Sequence, residues 1–305
     1  MSCPLCLGVE IKSIDSISPE KLSYLYKKLT KVDFSYLLSV EIEYLECQIC
    51  KLRFFDPMIT GDEAFYNSLQ KFDWYYMDEK EEYLEAKKYI QNSDKVLEIG
   101  SGKGAFAKHL PTKDYVGLDF SSHAKKMAAE NGITVEIEMV EDYAKKHRGE
   151  FDVVASFQVL EHVSEPKAFI ESKLEALRPG GKLIIAVPSE DSFLRYVNNG
   201  ILNMPPHHVT RWSDATFKFI AEKYDLNMVS IYHEKVQDMH KQWYLSTLIS
   251  SCLFSSKLID LSVFRKISEK CINFFSKILV KELKSEMLPA GHTVLVVLQK
   301  SSVMK

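Results

Sequence analysis

The chain has 305 residues, 46% of them hydrophobic and 27% charged, with a net charge of −3. Such a composition belongs to a globular protein long enough for one large domain and a small one, and its slight acidity leaves no general electrostatic case for a nucleic-acid partner. No apolar run is long enough to span a bilayer, and Met1-Ser2-Cys3-Pro4 lacks the basic and apolar regions of a secretory leader, so the expectation is a soluble cytoplasmic protein without a transmembrane segment.

Cysteines mark the start. Cys3 and Cys6 form one C-x-x-C pair and Cys47 and Cys50 a second, whereas Cys252 and Cys271 stand alone. Each pair can fold into a tight knuckle presenting two thiolates, and two knuckles in a reducing compartment favour one tetrahedral structural Zn²⁺ over disulfides. The gap between the pairs is longer than the usual spacing of about 15–20 residues, so a redox motif or plain core cysteines compete with that reading. The lone cysteines read as small buried apolar residues. A zinc-binding module then occupies residues 1–60, with a polar helix over 18–29, a strand-like stretch over 36–45 and a short strand over 52–57. Residues 61–94 form a helical connector, with helices over 61–69 and 79–90. Between them, the aromatic cluster Phe72-Asp73-Trp74-Tyr75-Tyr76 packs domain against domain or contributes to a lid.

From 95 to 188 short apolar strands alternate with amphipathic helices, the pattern of βαβ units around a parallel sheet. The spacing predicts strands over 95–99, 115–118, 134–138, 151–156 and 182–187. Helices are expected over 122–131, stopped by Gly132, and over 166–177, followed by the turn Arg178-Pro179-Gly180-Gly181. The first strand carries Glu98 and runs into Gly100-Ser101-Gly102-Lys103-Gly104, with a helix-like segment over 105–110. Glycines let the chain turn sharply and let backbone N–H groups approach a ligand. An acid placed ahead of the glycines suits a cationic ligand better than the pyrophosphate of a G-x-G-x-x-G loop. Asp119, at the carboxyl end of the second strand, is placed to hold ribose hydroxyls, with a helix-terminal acid as the alternative.

Glu98–Gly104 resembles motif I of the class I S-adenosylmethionine-dependent methyltransferases. The fourth strand and its exit, Phe151-Asp152-Val153-Val154-Ala155-Ser156-Phe157-Gln158-Val159-Leu160-Glu161-His162-Val163, resemble the motif of that family ending in Glu-His. With Arg178–Gly181 the resemblance to the small-molecule branch covers residues 95–190. It implies an α/β fold with a Rossmann-like seven-stranded sheet and S-adenosylmethionine held by Glu98, Gly100, Ser101, Gly102 and Gly104. It further implies ribose at Asp119 beside Phe120, adenine at Glu141 and Asp142 (otherwise a polar loop), and cofactor contacts from Phe157, Gln158, Val159 and His162. The N/D-P-P-Y type motif of nucleic-acid amino-methyltransferases is replaced by Ser156-Phe157-Gln158-Val159, which speaks against a base as substrate.

Farther along, Pro205-Pro206-His207-His208-Val209-Thr210-Arg211-Trp212-Ser213 resembles a loop of the branch that also carries an N-terminal four-cysteine module, whose members often act on sugars and other secondary metabolites. Ser213 is placed to cap a helix over 214–224. O-methylation requires loss of a hydroxyl proton, and histidine suits that role. His207 or His208 is the candidate general base, with His162 third. A structural histidine, or a metal-binding pair without an evident third ligand, are the competing readings. Arg211 either pairs an acidic group on the acceptor or braces the loop. Residues 226–233 and 291–299 read as the antiparallel pair that closes the sheet. The apolar insertion 241–287 reads as a helical hairpin packed on the domain or on a second copy in a homodimer, as a lid, or as an interfacial face for a lipid-linked acceptor. The chain is thus expected to combine the zinc module with a methyltransferase domain over 95–305. That domain would methylate a hydroxyl on a small polar acceptor such as a sugar or glycan. Sugar C-methylation and a non-catalytic S-adenosylmethionine sensor are the rivals, with a protein or RNA methyltransferase behind them.

Overall fold

The computed structural model describes residues 1–72, 79–254, 257–284 and 288–302; of the aromatic cluster only Phe72 falls among them. Strands β1 (Ile11–Ile17), β2 (Ile42–Cys47) and β3 (Arg53–Asp56) pair antiparallel in that order. Helix α1 (Pro19–Thr30) connects the first two; the Ser18 hydroxyl accepts from the Lys21 N–H, and Pro19 sits where a helix needs no amide proton. The expected strand over 36–45 begins only at Ile42. Ahead of it, buried Phe34 and Leu38 anchor two tight turns closed by Leu37 N–H to Phe34 O and Leu38 N–H to Ser35 O. Short helices α2 (Glu63–Leu69) and α3 (Glu81–Lys87) lead into the second sheet.

That sheet is built from β4 (Val96–Ile99), β5 (Tyr115–Leu118), helix α4 (Ser122–Glu130), β6 (Val135–Glu136), helix α5 (Val140–Lys146), β7 (Phe151–Phe157), helix α6 (Pro166–Ala176) and β8 (Leu177–Pro188). After it come β9 (Thr210–Arg211), helix α7 (Asp214–Lys223), β10 (Leu226–Lys235), helices α8 (Lys241–Leu253) and α9 (Val263–Leu279), and β11 (Ala290–Lys300). The strand order is β10-β11-β8-β7-β4-β5-β6, parallel from β8 to β6 and antiparallel where β11 inserts between β8 and β10. Every residue of β4 is buried and β7 is nearly so, as strands covered on both faces must be. The chain leaves β4 toward one edge and β7 toward the other. Their carboxyl ends therefore form the switch point at which open α/β sheets bind ligands.

Several local expectations give way. Residues 105–110 form only the 3-10 turn Phe106–His109, because Pro111 follows Leu110 directly and disfavours continuation. The third predicted strand shrinks to β6, a two-residue edge. β8 takes in the expected turn at 178–181, with Gly180 at φ +76°. Cys252 and Cys271 are exposed, not buried, because α8 and α9 turn Thr247, Ser250, Arg265, Ile272 and Ser276 inward instead. β9, from the Pro-Pro-His-His loop, pairs with β3, so the N-terminal sheet runs directly into that loop.

Candidate functional site

The four N-terminal thiols converge in two matching knuckles. In each, the N–H four residues past the first cysteine returns to that cysteine's carbonyl, Leu7 to Cys3 at 2.9 Å and Lys51 to Cys47 at 3.0 Å. Leu7 and Lys51 take the left-handed conformation, at φ 63° and 62°. The Sγ pairs Cys3–Cys50 and Cys6–Cys47 lie 3.4 Å apart, and the four sulfurs lie within 4.8 Å of one another. Four thiolates around a tetrahedral ion with metal–sulfur bonds of about 2.3 Å stand roughly 3.8 Å apart. The donor set fits Zn²⁺, and Cys3, Cys6, Cys47 and Cys50 would hold it.

At the switch point the glycine loop is shaped by neighbours that leave no room for side chains. Gly100 sits at φ +73°, and a Cβ there would lie 2.3 Å from Val159 Cγ2; Gly104, at φ +75°, packs against Ile133. Gly100 and Ser101 donate to the Leu118 carbonyl at 2.8 and 3.1 Å. Asp119 receives Gly102 N–H and Ser121 N–H, each at 2.8 Å, so one carboxylate knits the loop to the next strand end. Glu98 is buried behind the loop with Tyr115 Oη donating to it, and burial pushes its carboxyl up to about 8. A cavity of about 1940 Å³ opens here, lined by Gly100, Ser101, Gly102, Asp119, Phe120, Phe157, Gln158 and Val159. Glu98 and Gly104 stand behind this wall. Glu141 and Asp142 do not reach the cavity: they lie on α5, with Asp142 exposed and paired to Lys145 at 2.9 Å, and Met139 lines the cavity in their place.

The other half of the same cavity carries the histidines. His162, in the turn after β7, meets His207 and His208 from the loop ahead of β9. Ring centroids are 4.7 Å apart from His162 to each, and 4.4 Å between the stacked His207 and His208. Each Nδ1 faces an oxygen that can only accept: His162 donates to the His207 carbonyl at 2.6 Å, His207 to the Leu202 carbonyl at 2.8 Å and His208 to Asn203 Oδ1 at 3.0 Å. The protons therefore sit on Nδ1 and the free lone pairs on Nε2. Burial lowers the basicity of all three rings, His162 to about 4, His207 to about 3 and His208 further. Glu161, 1% exposed, lies 3.9 Å from Nε2 of both His162 and His208, and burial pushes its carboxyl up to about 8.

Arg211 braces the loop. Its guanidinium donates twice to the Asn203 carbonyl, at 2.6 and 3.1 Å, and stacks 4.8 Å over the Tyr44 ring. One constellation lay outside the sequence reading. His292, at the start of β11, donates Nδ1–H to buried Glu234 at the end of β10, 2.9 Å away, and both line the cavity. Burial pushes the Glu234 carboxyl up, but His292, together with hydrogen bonds from Thr293 and Gln237, outweighs it and holds the carboxyl below its ordinary range. Fifty-eight residues separate the two, and no local spacing signals their meeting.

A family model described as a methyltransferase domain matches residues 70–231, more than half of the chain. The ubiquinone biosynthesis O-methyltransferase of Escherichia coli O7:K1 is 32% identical over 146 residues, covering 40% of this chain and 61% of that protein. The chain thus spans about three fifths of the length of the curated relatives it matches. Among solved structures, a SAM-dependent methyltransferase from Archaeoglobus fulgidus shares 18% identity at a TM-score of 0.48, over 72% of this chain and 92% of that one. A SAM-dependent methyltransferase from Thermotoga maritima shares 17% at 0.48, over 78% and 97%. With the domain match spanning the glycine loop, the Glu-His exit and the histidine loop, the chain belongs to the methyltransferase-domain family.

Proposed function

We propose that the protein methylates a hydroxyl on a small polar acceptor, a sugar or glycan being the class that the histidine loop resembles. The observation that carries this is the single cavity shared by the glycine loop and the histidine cluster. It lets an acceptor approach the sulfonium from the loop side, with donors and acceptors around it. The acceptor oxygen forms a bond to the methyl carbon as the carbon–sulfur bond breaks, its electrons passing to sulfur, and the hydroxyl proton goes to an imidazole. The protein's share is positioning and deprotonation. Curated relatives named as O-methyltransferases support oxygen as the methylated atom. His207 or His208, with His162 beside them, is the proposed proton acceptor through Nε2. A second reading is favoured by the Glu234–His292 pair: a carboxylate that fixes a histidine tautomer is the usual partner of a histidine base. The four-cysteine Zn²⁺ would serve structure alone.

The test uses labelled methyl-S-adenosylmethionine and a host extract separated into small-molecule, glycan, lipid, protein and nucleic-acid fractions. Wild-type protein is compared with the His207→Ala/His208→Ala variant. Label is expected in the small-molecule or glycan fraction, and the variant loses at least about 100-fold of it while cofactor affinity holds. Label in protein or nucleic acid overturns the acceptor class, and cofactor binding without transfer anywhere overturns the enzyme.

A further inference from the structure

We propose that His162, His207 and His208, with Glu161 beside them, form a metal site for a first-row divalent cation such as Zn²⁺, separate from the four cysteines. Among the described residues these three histidines and the four thiols are the groups whose ligand atoms cluster within 4.8 Å. The observation that sets the cluster apart is its tautomer pattern. Metal-binding histidines usually donate the other ring N–H to a carbonyl or carboxylate, which fixes the ring and frees one lone pair for the metal. All three rings here do so, through His207 O, Leu202 O and Asn203 Oδ1. Three independent Nδ1–H donations leave three Nε2 lone pairs free, on rings whose ligand atoms lie within 4.8 Å of one another. Tetrahedral coordination at about 2.0–2.1 Å needs nitrogens roughly 3.3 Å apart, which small side-chain movements supply.

Glu161 provides a second, independent observation. It is 1% exposed, and neither carboxylate oxygen has a hydrogen-bond partner. A buried carboxylate without a partner is costly and rare, and calls for a counter-charge or a ligand. Nε2 of His162 and Nε2 of His208 each lie 3.9 Å from Oε1, so this carboxylate stands beside the histidine cluster. One cation would satisfy the carboxylate and the three nitrogens together. Imidazole with a carboxylate suits Zn²⁺, Fe²⁺, Co²⁺ or Ni²⁺ rather than Ca²⁺ or Mg²⁺, which prefer all-oxygen sets. The scaffold is built to hold this geometry: the Val209 N–H donates to the Glu161 carbonyl at 2.8 Å, pinning the histidine loop to the exit of β7. The site lines the acceptor cavity. With the cation bound the three Nε2 lone pairs are taken, so this part rests on the second reading above: the acceptor hydroxyl would complete the coordination and its proton would pass to His292 of the Glu234–His292 pair.

Metal content of the full-length protein tests the proposal without reference to activity. Protein exposed to excess Zn²⁺ or Co²⁺ and then desalted is expected to hold two equivalents per chain. The second Co²⁺ gives ligand-field bands without a thiolate charge-transfer band. His207→Ala and His208→Gln each weaken that second equivalent by at least about 100-fold, and Glu161→Gln by about 10-fold; in all three the thiolate-bound equivalent and S-adenosylmethionine binding persist, showing that the fold is kept. A wild type that binds one equivalent only, all of it thiolate-bound, overturns the site. So does a second equivalent indifferent to these substitutions. A wild type that holds the second equivalent yet transfers methyl to no fraction would instead strike the proposed function and leave the metal site standing.

Discussion

Gly100 adopts φ +73° with Val159 occupying the space a side chain would need. Alanine there costs about 1–2 kcal/mol for the left-handed backbone alone, and its Cβ must displace Val159 as well. Gly100→Ala is therefore expected to weaken S-adenosylmethionine binding at least about 10-fold, as titration calorimetry would show; unchanged affinity would remove the loop from the cofactor site. Lys173 makes a different kind of prediction. Its ammonium is fully buried on α6, donating to Ser156 Oγ at 2.6 Å, and burial pushes it down to about 7. Between pH 7 and the ordinary lysine value near 10.4, the unfolded chain holds more protons than the folded one, so stability rises with pH across that window. Below pH 7 both states are protonated and the folded protein carries the full cost of the buried charge. Lys173→Met is expected to raise Tm most at pH 7 and below, with the gain narrowing toward pH 10. A constant or widening gain would contradict the buried-charge account. The turn at Gly100–Gly104 was legible because backbone at positive φ needs glycine at fixed local spacing. The meeting of His162 with His207 was not, since forty-five residues separate them and only the sheet brings them together. The position of Glu141 and Asp142 was hidden for a related reason: Val140 and Tyr143 bury themselves as one face of α5, and neither acid lines the cavity.

Between elements, the N-terminal module acts as a clamp on the acceptor loop. The Tyr26 hydroxyl faces the carbonyls of Ile201 and Met204 at 2.6 and 3.1 Å, and β3 pairs with β9 through Phe54↔Thr210 and Arg53↔Arg211. Arg53 adds an ion pair to Glu190, which also faces Arg211 at 3.7 Å. These contacts touch the loop that carries His207 and His208 but none of the glycine loop. Cys47→Ser/Cys50→Ser, which takes away two of the four thiols that would hold Zn²⁺, is therefore expected to lower kcat/KM for the acceptor at least about 10-fold, in line with the sensitivity of catalysis to small misplacements. S-adenosylmethionine affinity should stay within about 3-fold, because positions far apart with no shared partners act independently. Equal losses of both would mean that the module supports the whole domain instead. Alternating apolar strands and amphipathic helices made the large sheet readable in sequence, as did the two C-x-x-C knuckles. β9 was beyond reach: a two-residue strand has no periodicity, and its partner lies more than 150 residues earlier.

At the scale of the molecule, α9 turns the ordinary logic of an amphipathic helix outward. Arg265, Ile272 and Ser276 face the protein, while Phe264, Ile267, Phe274, Phe275 and Ile278 are each more than half exposed. At 100° per residue those five fall on one face, and Lys266, Lys270 and Lys277 line up along one flank of it. Lys266 also lines the cavity that holds the cofactor loop and the histidines, so the exposed face adjoins the mouth of the site. An apolar face of this kind needs a cover, and the lysine row decides which. Paired two-fold with itself, the flank would bring like charges together in the seam. Against an anionic bilayer the lysines meet lipid phosphate and the aromatic side chains enter the acyl boundary. The protein is therefore expected to sediment with vesicles containing anionic phosphatidylserine or phosphatidylglycerol and much less with neutral phosphatidylcholine. Lys266→Glu/Lys270→Glu/Lys277→Glu should weaken that binding by roughly 100-fold or more, at about 1 kcal/mol for each lysine. Phe274→Ser/Phe275→Ser should weaken it at any salt concentration, whereas the lysine contribution fades as salt rises. Full-length protein that ignores anionic vesicles, yet forms a concentration-dependent dimer lost in the Phe274→Ser/Phe275→Ser variant, would assign the face to a second copy of the chain and detach it from delivery of a lipid-linked acceptor.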